Sequence, residues 1–185
     1  MTGPPTIARL SGGGRIWALG ALLGDDDAIE GLARAVLSRW QPGDRLVVLG
    51  NMLGPNGDPA GTLDGLLRLR RRLMAANRSC GILFLRGAGQ RRRSAAVGRR
   101  RGCHAAPRRT GRRLFWWSAQ SDATLAAALT GGADAGWTAA TRLVRGAGPS
   151  ADAAAGYGQV LTVTRGRPAV AALDATGAVL ERIEP

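Results

Sequence analysis

The run Asp44-Arg45-Leu46-Val47-Val48-Leu49-Gly50-Asn51-Met52-Leu53-Gly54-Pro55-Asn56-Gly57-Asp58-Pro59 constrains this chain more than any other stretch. Leu46 to Gly50 reads as a buried strand, a continuous apolar run that ends at a glycine. A polar, glycine-rich turn follows. Asp58 then serves as N-cap of a helix, and Pro59 takes its first position, where a missing N–H is no loss. In an open α/β sheet, ligands collect at the carboxyl ends of the strands, and Asn51 stands at such an end.

The flanking sequence repeats the pattern. Arg15 to Gly20 predicts a first buried strand, closed by the turn Ala21-Leu22-Leu23-Gly24. Asp25 or Asp26 caps the next helix, whose apolar positions Ile29, Leu32, Val36, Leu37 and Trp40 recur with a period near 3.6. Pro42-Gly43 ends it. Strand, helix, strand in that order implies a parallel βαβ unit with a right-handed crossover. The second helix runs from Pro59 to Ala76, with Leu63, Leu66, Leu67, Leu73 and Met74 as its inward stripe. A third strand, Ile82 to Leu85, ends in Arg86-Gly87-Ala88-Gly89-Gln90, so three glycine-bearing turns share one edge.

Charge divides the chain. All 26 basic residues are arginine, and lysine is absent. P-loop phosphate binding and Schiff-base catalysis are thereby excluded, since both need a lysine amine. Between Asp64 and Asp122 there are 16 arginines and no acid, while the remaining ten arginines face 13 acids. The net charge of +13 therefore belongs to one segment, and the rest is mildly acidic. Within it, residues 91–113 carry Arg91, Arg92, Arg93, Arg99, Arg100, Arg101, Arg108, Arg109, Arg112 and Arg113 among Ala, Gly, Ser and Pro. No period of 2 or 3.6 survives there, which predicts a disordered, low-complexity insert.

The two cysteines, Cys80 and Cys103, and the single histidine, His104, supply neither a disulfide scaffold nor the paired spacing of a zinc site. They read as free thiols of a reducing compartment. Ile16 to Leu23 is too short to span a membrane and runs into Asp25-Asp26-Asp27, unlike a signal peptide. A cytoplasmic protein without a membrane partner is expected. At 185 residues the chain is one domain with a loose arm at 1–14. Its two halves, 15–90 and 114–185, flank the arginine-rich segment at 91–113.

Beyond that segment, Leu114 to Trp117 predicts a strand, Asp122 to Leu129 a short helix, Gly131 to Gly136 a loop and Thr141 to Arg145 a strand. Val160 to Thr164, Ala169 to Leu173 and Ala178 to Ile183 follow as strands, with turns at 165–167 and 175–177.

Pro42 to Pro59 resembles, without a gap, the second signature of the calcineurin-like metallophosphoesterases, P-G-D-R-L-V-F-L-G-D-Y-V-D-R-G-P-D-S. The likeness is to the branch with the serine/threonine phosphoprotein phosphatases and the diadenosine tetraphosphatases. It covers Arg15 to Gln90, and more weakly Leu114 onward. It implies an α/β fold, a sandwich of two mixed β-sheets flanked by helices, truncated here, with the C-terminal strands in the second sheet. It also implies two divalent metals such as manganese or iron. The ligand positions depart from the family. The first signature, G-D-x-H-G, falls on Gly20 to Gly24, with Ala21 and Leu23 where the aspartate and histidine ligands belong. In the second, Asn51 replaces the metal-bridging aspartate and Pro55 a phosphate-contacting arginine. In the third, R-G-N-H-E, Ala88 and Gly89 replace the asparagine ligand and the acid histidine. Ser118-Ala119-Gln120 aligns with a later H-A-G, and Gly146-Ala147-Gly148-Pro149 with the closing G-H-T-P.

Two metals about 3.5–4 Å apart need carboxylate and imidazole donors. Alanine and leucine have no lone pairs to give, and one histidine cannot furnish a dinuclear site. The resemblance thus implies a phosphoester hydrolase fold whose ligands and cofactors are not retained. No catalytic residue is assigned, and Asn51 is the one candidate for a metal or a phosphate oxygen, its other role being to satisfy the turn. Asp25, Asp26 and Asp27 offer a makeshift metal site and residual phosphoesterase activity, or simply cap their helix. Trp116 and Trp117, beside Arg112 and Arg113, could stack bases or fill a core. The ten arginines of 91–113 suit a nucleic acid or another polyanion, bound nonspecifically. A shifted reading frame across GC-rich coding DNA would leave the same composition. No protein partner is legible.

Overall fold

The computed structural model describes residues 14–54, 57–76, 81–85, 114–117, 142–147 and 160–185. Strand β1 (Ile16–Leu19), helix α1 (Asp26–Arg39), strand β2 (Arg45–Val48), helix α2 (Pro59–Ala76) and strand β3 (Gly81–Phe84) follow one another as the hydrophobic pattern predicts. β1 pairs with β2 and β2 with β3, both in parallel. Asp25 caps α1 through its carboxylate, which accepts the Ala28 amide at 2.8 Å. Asp58 does the same for the Ala60 amide at the start of α2.

Four further strands are β4 (Leu114–Trp117), β5 (Arg142–Ala147), β6 (Val160–Thr164) and β7 (Val170–Leu173), and β8 (Val179–Ile183) closes the chain. They form two sheets, in the orders β3-β2-β1-β7-β8 and β4-β5-β6. The first is mixed, since β7 lies antiparallel to β1 and β8 antiparallel to β7. One of its faces meets α1 and α2, through Trp17, Leu19, Leu46 and Val48 against Ile29, Leu32, Val36, Leu66, Leu69 and Leu73. The other meets the second sheet, through Ala18, Val47, Leu49 and Ala171 against Val144, Leu161 and Val163. Strands covered on both faces need apolar residues at every position, hence the unbroken runs in β1 and β2.

The structure corrects three expectations. β7 and β8 extend the first sheet instead of building the second. All four side chains of β7, Val170 to Leu173, are buried, and its two central alanines fit a strand lying between β1 and β8. The Arg165–Arg167 turn therefore carries the chain from one sheet to the other. The second sheet was expected to be mixed, yet its described strands pair in parallel. The connections 118–141 and 148–159 are long enough for parallel crossovers, which need a dozen residues or more.

The third correction is the roll of α2. Its buried residues are Thr62, Gly65, Leu66, Leu69 and Leu73, while the expected inward residues Leu63, Leu67 and Met74 are exposed. Gly65 explains the roll: a Cβ there would press on the Ile29 side chain, so the absence of one lets α2 settle close against α1. Leu66, Leu69 and Leu73 share the packed face with the glycine. The arm at 1–13, the helix at 122–129 and the whole of 91–113 lie outside the described residues. No described helix is long and apolar enough to cross a membrane.

At the amino ends of β1 and β2, Asp44 is buried and gathers several donors. Its carboxylate accepts from the Trp17 indole at 2.8 Å, the Arg15 amide and guanidinium at 3.0 Å each, and the Gln41 amide at 3.1 Å. Removing it would strand a buried indole N–H and a partly buried guanidinium. Asp44→Ala is expected to lower the unfolding free energy by about 3 kcal/mol, and Asp44→Asn by less, in urea denaturation.

In the β7–β8 turn, the Asp174 carboxylate accepts from the Thr176 hydroxyl and amide at 2.7 Å each and from the Ala178 amide at 2.9 Å. The Thr176 hydroxyl is the main reason its pKa falls below the ordinary carboxylate value; burial opposes this, and the backbone amides add to it. A depressed carboxylate stabilises the fold above its unfolded pKa, and that contribution is lost as pH falls through the folded one. The melting-temperature gap between wild type and Asp174→Ala should thus be widest at neutral pH and narrow progressively on acidification. A gap independent of pH would contradict this account of the turn.

Candidate functional site

The carboxyl ends of β1 and β2 lie side by side, and the turns that leave them are bonded to each other. The Leu23 amide donates to the Asn51 carbonyl at 3.0 Å, and the Gly24 amide to the Met52 carbonyl at 2.9 Å. Both turns use left-handed backbone, with φ of 57° at Leu23 and 49° at Asn51, flanked by Gly24 at 90° and Gly50 at 83°. Asparagine takes that conformation readily, whereas leucine does so at a cost of about 1–2 kcal/mol. Gly54 completes the approach. A Cβ on it would overlap the Leu23 carbonyl, so the second turn can lie against the first only with glycine there.

The second sheet reaches the same place. The Ala21 amide donates to the Gly146 carbonyl at 3.4 Å, and the Thr164 hydroxyl donates to the Ala21 carbonyl at 3.2 Å. Three of the aligned motif segments, Gly20 to Gly24, Gly50 to Gly54 and the one beginning at Gly146, thus converge at the strand ends. Residues 86–90 and 118–120 lie outside the described residues, as do Pro55, Gly148 and Pro149. Leu85, just before the third segment, is buried, and its amide donates to the Val48 carbonyl at 2.8 Å.

The convergence is a backbone one. Ala21 and Leu22 are fully buried, and Asn51 is 7% exposed. At the positions aligned with the first two signatures, the side chains at this focus are apolar ones and the Asn51 amide. The neighbouring aspartates are otherwise engaged: Asp25 caps α1, and Asp26 accepts the Asp58 amide at 3.3 Å, linking the two helix starts. Asp27 is exposed. Among the described residues no group of three or more His, Cys, Asp or Glu is placed to hold a metal ion. Two divalent metals need several anionic or imidazole donors, and the residues described here do not fit them.

Two features of this focus are absent from the motif reading. Thr164, at the end of β6, bonds to Ala21 across the sheets, and Gly54 sets the distance between the turns. Thr164 carries no signal in sequence because it acts through strand order, and Gly54 is legible there only as a turn glycine. The polyanion candidates Arg91, Arg92, Arg93, Arg99, Arg100, Arg101, Arg108, Arg109, Arg112 and Arg113 fall outside the described residues, as do Cys80, Cys103 and His104.

A scan against protein-family models finds no match, and a search of curated proteins finds none. A search of solved structures returns a crystal structure of a protein provisionally identified as a diadenosine tetraphosphatase, at 14% identity and a TM-score of 0.47. The match covers 98% of this chain and 96% of that one. A likeness at that level fixes neither family nor activity.

Proposed function

We propose that this chain is a degenerate relative of the calcineurin-like metallophosphoesterases, one that keeps the backbone of the metal-binding turns without the side chains that bind metal. One observation carries the reading. Leu23 and Asn51 stand where the family's first two signatures place a histidine and a bridging aspartate, and both have positive φ. Histidine, aspartate and asparagine enter that region several-fold more often than other residues, and leucine does not. A leucine held there by the hydrogen bond from its own amide to Asn51 suits a turn shaped for the older residue. Strained backbone of this kind is typical of functional sites, and here it outlasts the chemistry it would have served. On this reading the protein acts as a non-catalytic binding or regulatory module.

The test is metal content and manganese-dependent hydrolysis of p-nitrophenyl phosphate, on the natural protein and on the triple variant Ala21→Asp/Leu23→His/Asn51→Asp. The natural protein is expected to hold no stoichiometric manganese and to show no turnover, and the variant to gain manganese affinity. Tight binding with turnover by the natural protein would overturn the proposal and direct attention to substitute ligands around Asp25, Asp26 and Asp27.

A second reading is polyanion binding, favoured by the acid-free interval with its 16 arginines. Arginine pairs with phosphate without regard to sequence, and the interaction releases counterions. Affinity for single-stranded DNA should fall linearly with salt on logarithmic axes. Replacing Arg99, Arg100 and Arg101 with serine should reduce that slope by about 2. An unchanged slope would remove those residues from the interface.

A further inference from the structure

The roll of α2 that buries Gly65 leaves a second apolar row on the helix. Leu63, Leu67 and Met74 are 44%, 41% and 40% exposed. They lie within roughly 40° of one another around the helix, roughly 120° from the face that packs on the core. With Arg70 they are spaced four, three and four residues apart, the interval of a coiled-coil seam. α2 has 18 residues, so the row runs along a rod about 27 Å long. Arg70 stands in the seam itself and Arg71 beside it, and both are exposed.

From this we propose that the outer face of α2 docks an acidic amphipathic helix of a partner protein. The occupant is selected by width and charge. A row this narrow matches the knobs of one facing helix, whereas helices that lie in a membrane surface present a much broader apolar face. In a parallel pair of two copies Arg70 would face Arg70, and in either direction the exposed arginines of the two helices would lie side by side, which disfavours self-pairing. A helix with leucine at its seam and glutamate at the flanking positions meets both demands. Its leucines interleave with Leu63, Leu67 and Met74, and its carboxylates meet Arg70 and Arg71, with bidentate geometry open to each guanidinium. Arg68 and Arg72, also exposed on α2, add to the attraction that steers such a helix in. This inference is independent of whether the strand-end turns bind metal.

The probes are two synthetic three-heptad helices with leucine at the seam, one with glutamate and one with lysine at the flanking positions. Binding to the full chain is followed by fluorescence anisotropy at physiological ionic strength. The acidic helix is expected to bind, and the basic one at least tenfold more weakly. Leu67→Glu should cost the acidic helix at least tenfold. Arg70→Glu/Arg71→Glu should invert the preference between the two helices. All three substituted residues are exposed, so melting temperatures should stay close to wild type, which separates lost docking from lost folding. Attraction of the acidic helix to residues 91–113 instead would leave its affinity intact in the charge-reversed variant, and that result would overturn the proposal. Two others would do the same: phosphatidylserine vesicle binding lost in Leu67→Glu, or a dimer in sedimentation that Leu67→Glu dissolves.

Discussion

The carboxylate of Asp44 holds together the unit on which the rest of the fold is assembled. It sits where α1 has ended and β2 begins, and it reaches back to the first residues of β1. Residues 15–17 and 41–44, far apart in sequence, are thereby fastened at one end of the parallel strands. The Arg15 guanidinium also lies 5.0 Å from the Trp17 ring centre, so both the carboxylate and the indole face hold the cation. A buried carboxylate is tolerable only with its acceptor sites filled, and here they are filled by charged and neutral donors together. With the amino ends closed in this way, the turns at the carboxyl ends are free to be shaped by other demands.

Those turns were legible as turns, but not as a linked pair. Glycines at 20, 24, 50 and 54 mark where the chain reverses, and strand-to-turn-to-helix order places them on one edge. That Leu23 bonds to Asn51, and Ala21 to Gly146 and Thr164, depends on which strands become neighbours, and sequence order does not fix that. The positive φ at Leu23 was likewise hidden. A leucine in a sequence gives no warning of left-handed backbone, because its own preference is against it. That the aligned positions carry alanine, leucine and asparagine was fully visible, since reading a side chain's donors needs no coordinates.

The first half of the fold was readable for a physical reason: β1, α1 and β2 each have one dominant period, and within these elements the local preferences agree with the final structure. The errors occurred where two solutions compete. α2 has two apolar faces, one with Leu66, Leu69 and Leu73 beside Gly65 and one with Leu63, Leu67 and Met74, and hydrophobicity alone does not separate them. Close packing of Gly65 against Ile29 favours the first, since interiors are filled by shape as well as by transfer free energy. β7 was equally ambiguous. Val-Ala-Ala-Leu reads as a strand in either sheet, and only its small residues, covered on both faces, mark it as an interior neighbour of β1.

Under the proposed reading, the separation between the Asp44 cluster and the strand-end turns bears on how such a fold persists without metal ligands. Among the described residues, no side-chain hydrogen bond or ion pair that holds this structure together comes from an aligned ligand position. The turns are tied by backbone hydrogen bonds, the helices by their caps, and the sheets by two apolar cores. Carboxylates crowded for metal binding repel one another when the metal is away, so such sites commonly cost stability. On the reading proposed above, alanine at position 21 removes that repulsion and adds apolar surface that is fully buried. Mutation away from the ligands is therefore thermodynamically easy in this architecture. The left-handed Leu23 is a local cost of about 1–2 kcal/mol, comparable with the net worth of the two backbone hydrogen bonds that tie its turn to the next.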